Sequence, residues 1–473
     1  MRATNSSKRF ARERWHDKLL EALRQQPPQW WRQTLEHLTE AAAREGIVIY
    51  VDPKTAQPVR IQCVPWLLTR AQAQYLHIFG VRLRRVLNRL LRTYFDDPAI
   101  QAVLPLSEDE RVWLSALFPK GFPEPIPVFE RLDTNLGVED PQWAGNLRVL
   151  EWNSVGVGCL HFMPVANQLI ADQVLPVLKE TLLPASCRLS SDPRLLLARL
   201  LKDHAKAIGR QTCVVAFVER RETSPGGADE MLRMSEFLNT QGFQAVCVDP
   251  RELEVRNGEV VYKDLVVDLI YRDFMLNEIV SIEKHGGTVS AIKHAFQQNQ
   301  VVSALTGEFD HKSLLEFCSN PEFSRYFTPA QRRALETIAP WTRLMRQRKT
   351  TAASGEDVDL PAYVRANREH LVLKPNRSYG GQDVVIGPDV TQAVWEEAIG
   401  RSLEHPDTWV AQAFIPLPCV PFPDPVSREL VNEFVTVGFV ATPDGIAFVG
   451  RSSRERIVNV SRGGNLVPIF LIA

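Results

Sequence analysis

Two separated patterns in this chain of 473 residues carry residue types suited to chemistry on phosphate groups. One is His370-Leu371-Val372-Leu373-Lys374-Pro375-Asn376-Arg377-Ser378-Tyr379-Gly380-Gly381. Lys374 closes an apolar run, and in that low dielectric its ammonium is an effective partner for phosphate oxygens. The glycine pair lets backbone N–H groups approach an anion with no Cβ in the way. The same pattern also fits a lysine with a buried stem beside a hairpin turn. It is not a P-loop, because no helix with GK[ST] follows. The other pattern is Arg131-Leu132-Asp133 with Leu147-Arg148-Val149-Leu150-Glu151-Trp152-Asn153. Alternate residues of a strand face one side, so Glu151 and Asn153 project together. With Asp133 brought in from a neighbouring strand they form a hard oxygen site suited to Mg²⁺ shared with phosphates. Arg131 points the same way as Asp133. Taken alone, such residues also read as edge-exposed polar pairs with a salt bridge.

The elements that must position these groups follow from periodicity. Gln25-Gln26-Pro27-Pro28 stops a first helix, and Trp30-Trp31 opens another that runs through Ala43. Ile47-Val48-Ile49-Tyr50-Val51 reads as a strand. Thr69 with Gln72 makes a capping box. Leu76, Phe79, Leu83, Val86, Leu87, Leu90 and Tyr94 then follow at helical spacing, with Arg82, Arg85, Arg89 and Arg92 on a solvated face. Between about residues 210 and 300 the pattern becomes α/β. Strands are expected at 212–218, 245–248 and 265–271, with a turn at Pro225-Gly226-Gly227 and a hairpin-like stretch at Asn257-Gly258. That alternation predicts a parallel open sheet. No GxGxxG follows the first strand, which argues against a dinucleotide site. Beyond Glu308, helices are expected at 312–317 and 329–348, and a mobile loop at 350–359. Strands follow at 371–373, 384–386, 409–411, 434–441 and 446–449, with a proline-rich loop at 416–425. No internal repeat is visible.

Composition bounds the class. Hydrophobic residues make up 45% and charged residues 23%, as in a globular protein, and 473 residues exceed one compact core. Fifty-five basic against fifty-six acidic side chains give a net charge of −1, which argues against gripping nucleic acid or an acidic membrane by bulk charge. Seven cysteines without CxxC pairs argue against zinc and read as reduced thiols of a cytoplasmic protein. The basic residues Arg2, Lys8, Arg9, Arg12 and Arg14 lead into Trp15-His16-Asp17-Lys18 rather than an apolar stretch, so neither a signal peptide nor a membrane span is expected.

Together the two patterns resemble the ATP-grasp superfamily. In ordinary members the strand lysine and glycine-rich loop precede the metal-binding Asp and Glu-x-Asn; here Asp133, Glu151 and Asn153 precede Lys374. That order is similar to the circularly permuted ATP-grasp group related to glutathionylspermidine synthase, from about residue 127 to the C-terminus. The resemblance implies a mixed α+β and α/β fold. Its parts would be a helical N-terminal region at 1–125, a permuted ATP-grasp region at 126–190 and 301–473, and an open-sheet domain at 191–300. It implies that Lys312, on a lysine-bearing helix, and Lys374 contact ATP, with Ser378, Tyr379, Gly380 and Gly381 as the loop over the phosphates. Gln412 would sit on the strand whose backbone reads the adenine edge. Asp133, Glu151 and Asn153 would hold Mg²⁺, Arg131 would stabilise the transferred phosphoryl group, and Arg272 would face the substrate cleft. Arg451, Arg456 and Asn459 are further candidates near Ser461-Arg462-Gly463-Gly464. Asp383 stands where the family's loop carries a glycine, and no separate amidase domain is visible.

The reaction implied is ligation of a small-molecule carboxylate to an amine through an acylphosphate, the substrates being a peptide, an amino acid or a polyamine. Two other classes remain: an ATP-dependent phosphotransferase, and a non-catalytic nucleotide- or partner-binding module. The loops at 156–164 and 417–426 are expected to set specificity. His161 in the first either touches substrate or is packed structurally. The sequence does not fix the oligomeric state.

Overall fold

Proline and capping residues divide the first hundred residues as their chemistry requires. The computed structural model describes residues 14–52, 55–118, 122, 126–182, 186–210, 213–221, 229–424 and 429–472. Most of the basic N-terminal residues, the 225–227 turn and part of the 417–426 loop lie outside them. Helix Trp15–Arg24 ends before Pro27, and helix Pro28–Arg44 begins with proline in its first turn, where the missing N–H costs nothing. Thr69 and Gln72 exchange both bonds of a capping box at the start of helix Arg70–Tyr94. That helix buries Leu76, Phe79, Leu83 and Leu87, while Arg82, Arg85 and Arg89 are exposed.

Its buried face lies on a central antiparallel sheet. A Cβ on Gly80 would stand 2.5 Å from the Ala441 side chain and 3.0 Å from Phe439, so only glycine permits this approach. The sheet runs Asn465–Leu466, Gly445–Ser453, Leu430–Thr442, Arg131–Thr134, Val149–Asn153, with Cys419–Pro423 also paired to Leu430–Thr442. The two patterned strands are therefore direct neighbours in the middle of the fold.

A second antiparallel sheet carries the lysine strand. Its order is Thr342–Leu344, Trp409–Ala413, Leu371–Pro375, Val385–Ile386. Helices Leu360–Ala366 and Gln392–Glu404 cover it, and Trp341, Leu371, Leu373, Trp395 and Ile399 form a core separate from the central one. The open sheet is parallel throughout: Val301–Val302, Leu269–Asp273, Val214–Glu219, Gln244–Val248. Asn257 and Gly258 have φ of 53° and 78° and turn a hairpin between Glu254–Arg256 and Glu259–Tyr262.

Several elements differ from expectation. Pro340 stops the helix expected over 329–348 after Ile338, and strand Thr342–Leu344 follows. The expected loop at 350–359 is a hairpin pairing Lys349–Thr351 with Asp357–Asp359. Lys312 lies in a turn, not a helix, and the helix begins at Leu314. Strand Trp66–Thr69 pairs in parallel with Ile469–Ile472 from the far end of the chain. Among the described residues, no helix is long and apolar enough to cross a membrane.

Candidate functional site

Strand register puts the charged residues of the central sheet on one face. Arg131 pairs with Asn153 and Asp133 with Glu151. On the next strand Gly438 stands opposite Asp133, and Thr436 opposite Arg451 of the strand beyond. Arg131 grips both Asp133 oxygens, Nε to Oδ1 at 2.7 Å and Nη2 to Oδ2 at 2.9 Å. Arg451 Nη2 lies 2.7 Å from Oδ2, and Asn153 Nδ2 donates to the same oxygen at 3.2 Å. Burial alone would raise the Asp133 carboxyl, but the two guanidiniums outweigh it and hold the group at about 2. Gly438 makes the cluster possible, since a Cβ there would come within 2.4 Å of Asp133 Oδ1.

The lysine sheet supplies the opposite wall. Lys374 Nζ donates to Gln412 Oε1 at 2.7 Å and Lys312 Nζ lies 3.0 Å from Glu151 Oε1. Lys312 also donates to the Ser378 carbonyl. Burial pushes Lys374 down to about 8, with the Glu151 charge working against that shift and Lys312 adding to it. Between the walls is a cavity of about 420 Å³. Asp133, Glu151, Lys312, Lys374 and Arg451 line its charged part, and Val372, Ile386, Phe414, Leu417 and Phe434 its apolar part. A planar apolar ring at one end and an anion at the other fit this division.

Of the residues singled out from sequence, Asp133, Glu151, Lys312, Lys374, Gly381 and Gln412 line this cavity, whereas Arg131 and Asn153 are buried against Asp133, and Ser378, Tyr379 and Gly380 do not line it. Gln412 lies in a central strand between Thr342 and Val372, so its backbone is committed to the sheet. Its side chain holds Lys374 instead, and the cavity is bordered by the non-strand segment 415–417 that follows. Gly380 and Gly381 have φ of 70° and 72°, and Arg462 Nη1 donates to the Gly381 carbonyl at 3.4 Å. Asp383 also has positive φ, 55°, and its side chain is exposed. Aspartate is among the few residues that tolerate the conformation a glycine would adopt there.

Arg272 does not face a cleft. It is wholly buried, ion-paired to Glu308, and donates to the carbonyls of Ser303 at 2.6 Å, Ala304 at 2.9 Å and Phe274 at 3.0 Å. An arginine so saturated is structural. His161 is also buried, with Nε2 2.8 Å from the Glu45 carbonyl.

Past Arg131 lies a second cavity of about 380 Å³. Arg131 Nη1 donates to the carbonyl of Gly158, which lines it, at 2.6 Å. Tyr379 of the glycine loop and Asn459, shared with the first cavity, also line it. Among the described residues, Glu219, Glu230, Asp273 and Glu278 line it with a single cation, Arg220, so its charge is net acidic. Burial pushes the Asp273 carboxyl up to about 7, and the charges of Glu219, Glu278 and Glu230 push it the same way. Sequence reasoning missed this cavity because its carboxylates come from three separated segments, around 219, 230 and 273–278, with no shared motif.

Among the described residues no three His, Cys, Asp or Glu side chains converge as a metal cluster. The side chains of Asp133, Glu151 and Asn153 offer the oxygen donors that Mg²⁺ takes beside phosphate oxygens, but both Asp133 oxygens are held by Arg131, Arg451 and Asn153, so Glu151 is the carboxylate that best fits the ion. Arg131 and Arg451 balance the charge of Asp133, and Lys312 that of Glu151.

No protein-family model matches the chain. An uncharacterized protein of Mycobacterium leprae is 30% identical over 112 residues, and one of Mycobacterium tuberculosis is 29% identical over 112 residues. Each match covers 22% of this chain and 20% of the relative, so the chain matches about a fifth of the length of these curated relatives. Among solved structures, a glutathione synthetase-like effector from Globodera pallida in apoform aligns with TM-score 0.60 at 13% identity, over 94% of this chain and 98% of that one. That likeness shows a shared mixed α/β fold. A putative gamma-glutamylcysteine synthetase from Methylobacillus flagellatus KT aligns with TM-score 0.36 at 10% identity, too low to argue from.

Proposed function

We propose that this chain is an ATP- and Mg²⁺-dependent carboxylate–amine ligase of the permuted ATP-grasp kind. The observation that carries the reading is one cavity with Lys312 and Lys374 on one wall and Asp133, Glu151 and Arg451 on the other. The shared fold with a glutathione synthetase-like protein agrees with it.

In this reading the adenine lies against Val372, Ile386, Phe414 and Phe434, and the phosphates reach Lys374 and Lys312. Glu151 and Asn153, with Asp133, would hold Mg²⁺, which supplies charge neutralisation of the triphosphate when bound. A substrate carboxylate oxygen attacks the γ-phosphorus, the bond to the β,γ-bridging oxygen breaks, and ADP leaves an acylphosphate. The amine nitrogen then attacks the carbonyl carbon, inorganic phosphate departs, and the nitrogen loses a proton. Arg451, which lines the cavity, would meet the charge that develops on the transferred group, with Arg131 behind it holding Asp133 in place. No protein nucleophile is needed, so positioning, electrostatics and water exclusion by residues 378–381 do the catalytic work.

The second cavity supports a cationic amine as the acceptor. Four carboxylates held near one another at raised pKa are relieved by an ammonium ligand, so amine binding should release protons and tighten as pH rises through about 7. Among the substrates the fold can serve, this favours a polyamine, or an amino acid or peptide presenting its amine, in that cavity.

The test is calorimetry with Mg·ATP on the intact chain, followed by ADP release across carboxylate and amine pairs. Saturable binding is expected, with ADP and phosphate formed in equal amounts only when both substrates are present. Lys374→Ala should lower turnover by about 100-fold or more, the scale of losing one preorganised charge contact. Lack of nucleotide binding by the wild-type chain, or turnover unaffected by Lys374→Ala, would reject the proposal.

A further inference from the structure

The two walls of the nucleotide cavity come from different sheets with different cores, so something must fix the gap between them. The segment 310–313 touches both. At its start, Asp310 Oδ2 accepts from the backbone N–H of Ser154 at 2.6 Å and of Val155 at 3.2 Å. These are the first residues after strand Val149–Asn153, which carries Glu151 and Asn153. At its end, Lys312 N–H donates to the Asn376 carbonyl at 3.0 Å and Ser313 N–H to Asn376 Oδ1 at 2.9 Å. Asn376 follows the Lys374 strand directly and is itself anchored, its N–H donating to the Thr408 carbonyl at 2.7 Å. Asp310, Ser313 and Asn376 are all buried, so water does not compete for these bonds.

We infer that Asp310 and Asn376 are positioning residues that form the two ends of a strut, residues 310–313, setting the separation of the carboxylate wall from the lysine wall. The inference rests on the reading of the cavity as a nucleotide site for its functional consequence, but its mechanical content does not. The strut also explains why Lys312 spans the gap. Its backbone is pinned to the lysine wall while its ammonium reaches Glu151 and the Ser378 carbonyl. Neither Asp310 nor Asn376 touches the cavity in this arrangement.

The mechanical part is tested on the nucleotide-free full chain by amide hydrogen exchange in wild type, Asp310→Ala, Asp310→Asn and Asn376→Ala. A strut couples its ends: Asn376→Ala, made on the lysine wall, should speed exchange at Ser154 and Val155 on the other wall by about tenfold, the signature of a shared opening unit. Asp310→Asn keeps an acceptor oxygen and should exchange within about threefold of wild type. Acceleration in Asn376→Ala confined to residues 312–314, or Asp310→Asn behaving like Asp310→Ala, overturns the strut. The functional part is read by titrating ADP with and without Mg²⁺. Asp310→Ala should abolish most of the Mg²⁺-dependent gain in affinity while metal-free ADP binds within about threefold of wild type, because the lysine wall is untouched. Equal losses with and without Mg²⁺ would overturn it. If wild type binds no ADP, the ligase reading fails, and the exchange result alone decides the strut.

Discussion

Lys374 illustrates how one side chain can tie nucleotide affinity to pH. In the nucleotide-free protein its ammonium titrates at about 8, because burial outweighs the nearby Glu151 charge. A phosphate group beside it favours the charged form, so the bound-state value must lie higher. Binding therefore takes up a proton once the solution is above about pH 8, and affinity is lost as pH rises further. Below that the lysine is charged in both states and contributes no pH dependence. Calorimetric titration should show a nearly constant Kd for nucleotide from pH 6.5 to 7.5, weakening towards tenfold per pH unit above about 8. Lys374→Arg should remove that weakening, since a guanidinium stays charged across the range. A wild-type Kd flat to pH 9.5 would show that Lys374 does not meet phosphate. At this scale the sequence was informative wherever chemistry is local. Lys374 at a strand end and the left-handed glycines at 380 and 381 could be read directly, whereas the Gln412 side chain bond to Lys374 depends on strands that meet only in the folded sheet.

Elements decide whether a charged residue serves binding or structure, and Arg272 shows the difference. Sequence places it just past an apolar strand, the position from which side chains often reach a ligand at the end of a parallel sheet. In the fold, residues 303–309 close over that strand end and bring Glu308 and the carbonyls of Ser303 and Ala304 onto the guanidinium. Nothing in the local sequence reveals that covering, because it comes from about thirty residues downstream and follows no period. The readable elements were those with their own signal: the capping box at Thr69, the proline break before Pro28 and the apolar strands of the parallel sheet. The misread ones, Thr342–Leu344 and the hairpin of Lys349–Thr351, are three-residue strands too short to show alternation. Arg272→Ala should leave Glu308 buried without its main partner and cost about 3–5 kcal/mol of stability. Urea denaturation would measure it. A loss below about 1 kcal/mol, or full stability with loss of substrate binding alone, would return Arg272 to the ligand site.

At the scale of the whole molecule, described segments from the first and last parts of the chain are knitted into one core. Ile469–Ile472 lies between Trp66–Thr69, in parallel, and Arg188–Leu189, antiparallel. Ile469, Phe470 and Ile472 are buried in the same cluster as Trp15, Leu68, Leu83 and the central-sheet residues Val437 and Phe439. The lysine sheet stands on a distinct core built around Trp395, and the open sheet packs one face on another that includes Val215, Phe217 and Tyr271. Helical N-terminal segments and central sheet should therefore unfold together, with the lysine sheet the unit able to open separately. A chain ending at Pro468 tests this. It loses three buried apolar side chains worth about 1.5–3 kcal/mol each, together with two strand pairings, against a total stability typically of only about 5–15 kcal/mol. The expected result is loss of cooperative unfolding and of protease resistance across the N-terminal helices, far in sequence from the cut. Ile469→Val, which keeps the strand and removes one methylene, should cost only about 0.5–1.5 kcal/mol. If the shortened chain instead kept protected N-terminal helices, the ends would be ornament, and the site's central sheet would need no support from the first hundred residues.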